Sequence, residues 1–138
     1  MTWFGTNANV TDLEYAFQDA AAFNSDLSSW DVSKVINMES TFDNAEEFDS
    51  DLNSWDVSRV KYLRSTFNDA YSFNGNLSGW DVTNVENMQE TFGFATSFNG
   101  DLSSWDLVGC QFRGAFDNAA AFNSNLNSWD VSRVNSLS

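Results

Sequence analysis

The sequence predicts an α/β solenoid: coils of about 25 residues, each with one short parallel strand and one short helix. Three observations predict it. A tryptophan recurs at Trp30, Trp55, Trp80, Trp105 and Trp129, with spacings of 25, 25, 25 and 24 residues. Each lies three residues after a leucine (Leu27, Leu52, Leu77, Leu102, Leu126) and is followed by Asp and then by Val32, Val57, Val82, Leu107 or Val131. The segment Phe-x-x-Ala-x-x-Phe occurs five times, starting at Phe17, Phe42, Phe67, Phe92 and Phe116.

The elements follow in order within a repeat. Asn24-Ser25, Asp49-Ser50, Asn74-Gly75 and Asn99-Gly100 carry turn chemistry. Leu27-x-x-Trp30-x-Val32 then has the inward spacing of a leucine-rich-repeat strand. Ser33, Ser58, Thr83 and Ser132 stand where a helix N-cap belongs. Val35, Met38, Phe42 and Ala45 recur at three and four residues, the spacing of one helix face. A lone coil buries too little to offset the entropy of ordering its chain, so the coils must stack and share one core. Equivalent strands would then lie ~4.8 Å apart in a short parallel sheet. The architecture expected is leucine-rich-repeat-like.

One domain spans residues 1–138 on this reading. Residues 1–23 form an N-terminal half coil or cap, followed by coils at 24–48, 49–73, 74–98 and 99–122 and an incomplete coil at 123–138. Trp3 does not share the frame, and Gly5 holds the expected Trp position. One residue is missing between Trp105 and Phe116, where Leu107-Val108-Gly109-Cys110 predicts a distorted helix start. The frame stops at Leu137-Ser138, before its last helix is complete.

Composition narrows the function. The net charge is −14, with only six basic residues, which disfavours nucleic acid and anionic membranes and leaves basic proteins or divalent cations as partners. With no histidine and the single Cys110, the chain has no disulfide of its own, no usual transition-metal site and no Ser/His or Cys/His catalytic pair, and it implies no cofactor. No apolar run approaches ~18 residues, so no membrane-spanning helix is expected. Met1 to Val10 lack the charged and apolar regions of a signal peptide.

Two surfaces are candidates for binding. If Trp30 and Val32 point inward, Ser29, Asp31 and Ser33 point outward, as do Ser54, Asp56 and Ser58. Gly79, Asp81 and Thr83 follow, then Ser104, Asp106 and Val108, then Ser128, Asp130 and Ser132. Such a row of carboxylates and hydroxyls suits calcium, basic peptides or sugar hydroxyls, and it equally suits hydrogen bonds inside the fold. The second surface is an aromatic patch of Tyr62, Tyr71 and Phe94, at positions that are mostly polar elsewhere; aromatics so placed are enriched at interface hot spots. The Trp column itself belongs to the core, given the area each indole buries. Asn24-x-Asp26 and its copies share a spacing with calcium loops but lack the rest of that signature, and turn chemistry explains them.

Phe-Asn-x-Asp-Leu-Ser-x-Trp-Asp-Val-Ser-x-Val-x-x-Met, as in Phe23 to Met38, resembles the BspA-like bacterial surface protein repeat, a leucine-rich-repeat group of about 25 residues per repeat. The resemblance implies a leucine-rich-repeat-like solenoid, a cell-surface or extracellular setting, and adhesion or protein binding without catalytic residues. A non-catalytic interaction or assembly module bound to a protein partner is the function expected. The alternative is recognition of calcium, glycan or ice, with Thr41, Thr66 and Thr91 as further hydroxyl rows. An enzyme is disfavoured, because the carboxylates repeat with the coil and no pair stands out.

Overall fold

The computed structural model describes residues 9–131 of the 138. Trp3, Gly5, Ser132 and Leu137-Ser138 lie outside them. The described residues contain no helix and no extended strand. The expected strand-and-helix coil, and with it the leucine-rich-repeat-like α/β solenoid, is therefore corrected. Each repeat is a succession of tight turns, hydrogen-bonded in register to the repeat 25 residues on.

The helix fails for a reason visible in the backbone. Ser40, Ser65 and Glu90 have φ of 51°, 53° and 56°, and Asn44, Asp69 and Phe94 have φ of 58°, 54° and 54°. A right-handed helix admits no such residue. The amides a helix would use go to the next repeat instead. The N–H groups of Met38, Ser40, Phe42 and Asn44 donate to the carbonyls of Tyr62, Arg64, Thr66 and Asn68 at 2.8–2.9 Å. The amides between them, Thr41, Asp43 and Ala45, close turns onto Met38, Ser40 and Phe42 at 3.1–3.3 Å, three residues back rather than four. The three-residue apolar spacing thus records consecutive tight turns, which return side chains to one side much as a helix does. Ser33 and Ser58 cap no helix; each donates to the Asp two residues before it.

The strand fails too. Trp30 N–H donates to Leu27 O at 3.0 Å and Val35 N–H to Val32 O at 2.9 Å, so a turn closes each end of the segment. Among the described residues parallel pairing occurs only as isolated bridges linking Asp12, Asn37, Tyr62, Asn87 and Gln111, inside the stretch expected to be helical.

The apolar positions of successive repeats meet in one core, with Val131 of the last described repeat left exposed. Leu52, Trp55, Val57, Val60, Leu63, Phe67, Ala70 and Phe73 are all buried, as are their counterparts in the following repeat. Phe17, Phe42, Phe67, Phe92 and Phe116 stack at 5.3–5.6 Å between centroids. Phe23, Phe48, Phe73, Phe98 and Phe122 form a second column at 5.8–5.9 Å. Burying one such ring is worth ~1.5–3 kcal/mol, and offset stacking adds to it. Polar atoms inside are satisfied: Trp80 Nε1–H donates to Leu52 O at 2.9 Å, and the buried Thr66 hydroxyl lies 2.7 Å from Leu63 O and 2.9 Å from Met38 O.

The missing residue near Cys110 is absorbed by the backbone rather than by a distorted helix. In the two preceding repeats two consecutive amides share one carbonyl, as Glu86 and Asn87 share that of Lys61; here Gln111 N–H alone donates to Glu86 O at 2.9 Å. Cys110 takes the buried place of Val35, Val60 and Val85, and burial pushes its thiol up to about 12.

Candidate interaction surface

The row of Asp31, Asp56, Asp81, Asp106 and Asp130 is exposed. Its chemistry is largely local. Asp31 Oδ1 accepts the Ser33 amide at 3.0 Å and the Ser33 hydroxyl at 2.6 Å. Asp56 accepts from Ser58, and Asp81 from Thr83, in the same way. Hydrogen bonds from Ser33 and Ser58, side chain first, hold the Asp31 and Asp56 carboxyls below the usual carboxylate range; at Asp56 the neighbouring Asp31 charge opposes that. Asp106 is followed at this spacing by Val108, which has no hydroxyl. Ser29, beside Asp31, is exposed.

The Asn-x-Asp copies divide their work. Asp26, Asp51, Asn76, Asp101 and Asn125 each accept the amide two residues on. Asn24, Asp49, Asn74 and Asn99 each accept the equivalent amide of the next repeat at 2.7–2.9 Å. Turn and stacking chemistry therefore occupies these oxygens. Among the described residues no group of three or more Cys, Asp or Glu could hold a metal ion. No helix of the described residues is long and apolar enough to cross a membrane. Thr41, Thr66 and Thr91 are fully buried and present nothing to ice.

The three aromatics do not all come together. Tyr71 and Phe94 are 40% and 46% exposed and flank Asp69. Tyr71 O–H donates to Asp69 Oδ1 at 3.0 Å, and Asp69 N–H donates to the Gly93 carbonyl, immediately before Phe94, at 2.8 Å. The Tyr71 hydroxyl is pushed up by that bond, by the Asp69 charge and, more weakly, by burial and Glu46. Tyr62 instead sits on the bridge line beside Lys61, at the other edge of the turn segment. Asp69 was not singled out from the sequence; its signal is the coincidence of Tyr71 two residues on and Phe94 at its own position in the next repeat. A separate polar cleft is lined by Arg64, Gln89, Glu90, Arg113, Gly114 and Asp117, with Arg64 also 3.4 Å from Glu39.

Residues 4–105 and 51–138 match the model of the family described as "Mycoplasma protein of unknown function, DUF285", and the chain belongs to that family. This match, with the absence of helix and strand from the described repeats, overturns the likeness to the BspA-like leucine-rich repeats. No curated protein and no solved structure matches the chain.

Proposed function

We propose that this member of the family is a non-catalytic interaction module whose face around Phe94 and Tyr71 holds a protein partner. One observation supports the reading above the others. Phe94 is 46% exposed and adopts a φ of 54° where the other repeats place Asp19, Asn44, Asp69 and Asn118. A left-handed backbone costs a residue with a Cβ ~1–2 kcal/mol, and Asn or Asp tolerate it best. The fold therefore favours Asn at this position, and a contact outside the chain accounts for phenylalanine. Recognition of calcium, glycan or ice by the acidic row has less support, because the Ser33, Ser58 and Thr83 hydroxyls are engaged within their own turns.

The test replaces Phe94→Asn and Tyr71→Thr together, each residue being one that another repeat carries at that position. Partner capture from lysate of the source cell is expected to be lost. Stability in urea should stay level or rise by about 1 kcal/mol, from relief at position 94. Undiminished capture by the double variant would end the proposal.

A further inference from the structure

We infer that the face formed by Phe94, Tyr71, Asp69 and Glu46 recognises a cationic polypeptide segment, seating an Arg or Lys side chain against the two rings with Asp69 as its counter-ion. This rests on the reading above and adds the chemistry of the partner.

The basic residues of the molecule are restricted by position within the repeat, while acids occur throughout it. All six basic residues fall at three positions: Lys34, Arg59 and Arg133 at one, Lys61 at the second, Arg64 and Arg113 at the third. The stretch that follows, at 18–22, 43–47, 68–72, 93–97 and 117–121, contains no Lys or Arg. It carries Asp19, Asp43, Glu46, Glu47, Asp69 and Asp117. In-register stacking lines these stretches up on one face, acidic at Asp19, Asp43, Glu46, Glu47 and Asp69, while Asp117 lines the cleft of Arg64 and Arg113; the exposed rings of Tyr71 and Phe94 stand in that face.

Asp69 is held but not neutralised. Tyr71 O–H donates to Oδ1 at 3.0 Å and Asn68 Nδ2–H to Oδ2 at 2.8 Å, both neutral donors that fix the carboxylate in place. The ion pairs among the described residues, Lys61–Glu86 and Arg64–Glu39, lie at the positions that carry the bases and do not include Asp69. An apolar partner would have to strip water from Asp69 and Glu46 without replacing it, which is costly. An anionic partner would be repelled. A guanidinium or ammonium satisfies both halves of the site, the ring faces through cation–π attraction and the carboxylate through a charge-assisted hydrogen bond. The net charge of −14 also steers a cation toward the surface.

The experiment titrates the full chain with acetyl-Gly-Arg-Gly-Arg-Gly-amide, following amide shifts by NMR, with a leucine peptide of the same length alongside. Shifts at Asp69–Tyr71 and Phe94 with the arginine peptide alone are expected. Phe94→Asn with Tyr71→Thr leaves the net charge unchanged and should weaken the binding about five- to tenfold. Asp69→Asn should do the same, while Asp26→Asn, an equal charge change elsewhere, should alter it less than about twofold. Equal effects of Asp69→Asn and Asp26→Asn would reduce the binding to general attraction and overturn the inference. Preference for the leucine peptide would overturn it as well, as would shifts at these residues on raising protein concentration alone, which would make a second copy the occupant. A lysate partner that needs Phe94 and Tyr71 yet is not displaced by the arginine peptide would refute the cationic chemistry and leave the interaction module standing. A lysate partner indifferent to both rings would remove both.

Discussion

Each repeat is tied to the next along two sides, and the two sides differ in which atoms carry the ties. Along residues 36–44 the ties are mainly backbone to backbone, as in Met38 N–H to Tyr62 O and Phe42 N–H to Thr66 O, with side chains such as the Thr41 hydroxyl on Leu13 O adding to them. Along residues 24–30 they are made by side chains. Asn74 Oδ1 accepts Asn99 N–H, Trp80 Nε1–H reaches Leu52 O, and the Ser54 and Ser104 hydroxyls donate to the carbonyls of Ser28 and Ser78. The consequence is written in the residues. On the backbone side one position holds Glu14, Glu39, Arg64, Gln89 and Arg113, since any residue supplies the same amide and carbonyl. On the side-chain side the Trp is kept from Trp30 to Trp129 and the first position, from Asn24 to Asn123, is always Asn or Asp, because the bond belongs to the side chain.

Substitutions that lose a side chain but not a backbone should separate the two sides. Trp80→Phe leaves the buried Leu52 carbonyl without its donor and removes part of a ring stacked 6.2 Å from Trp105. A loss of ~2–4 kcal/mol is expected from the cavity and the orphaned acceptor together. Gln89→Ala, on the backbone side, should stay within ~0.5 kcal/mol of wild type, because the half-buried side chain carries no backbone tie and surface changes of this kind are usually small. Equilibrium unfolding in urea measures both, and comparable losses would erase the distinction.

The same contrast explains what the sequence disclosed. The period and the inward set were legible, because a core shared by stacked repeats demands the same apolar residue at the same place each time: Leu52, Trp55, Val57 and Phe67 are buried together. The local conformation was not. Leu27-x-x-Trp30-x-Val32 looked like a strand because its pattern was the strongest in the chain, yet that strength comes from the indole and amide side chains that bridge repeats, with turns at both ends. The stretch from Val35 to Ala45 looked helical because tight turns share the helix's spacing. Only the left-handed residues at Ser40 and Asn44 separate the two, and at the Ser40 position Tyr15, Ser65 and Glu90 give no sign of it; Gly114, with φ of 65° at the same place, is the one glycine that does. At the candidate surface Tyr71 and Phe94 were legible as aromatics in polar places, while the distance of Tyr62 from them depends on the turns between and had no local signal.

A smaller effect sharpens the comparison at position 74. Asn74→Ala removes the oxygen that accepts Asn99 N–H at 2.9 Å, and about 1 kcal/mol should be lost, since this exposed amide can turn to water. Asn74→Asp should cost much less, a few tenths of a kcal/mol at most, because Asp49 already does the same work for Asn74 N–H at 2.7 Å. Thermal unfolding of the two variants side by side checks this. If Asp proved as damaging as Ala, the acceptor oxygen would not be what the position supplies.

The smallest effect belongs to a side-chain bond that stays inside one repeat. Asp56 takes hydrogen bonds from the hydroxyl and the amide of Ser58, which favour its ionised form in the folded chain and lower its titration. A carboxyl lowered in this way stabilises the fold above the unfolded value, near pH 4, and loses that contribution as pH falls through the folded value. Ser58→Ala keeps the amide donor and removes the hydroxyl, the larger cause. The Asp56 midpoint, read from carboxyl NMR shifts, should therefore move up part of the way toward the ordinary value, and acid unfolding should begin at slightly higher pH. Stability at neutral pH should fall only by the small amount that corresponds to this midpoint shift, because no tie between repeats has been cut, and the gap to wild type should close as pH falls through the folded value. A large neutral-pH loss would mean that the turn itself, rather than the bonds crossing from repeat to repeat, carries this side of the stack.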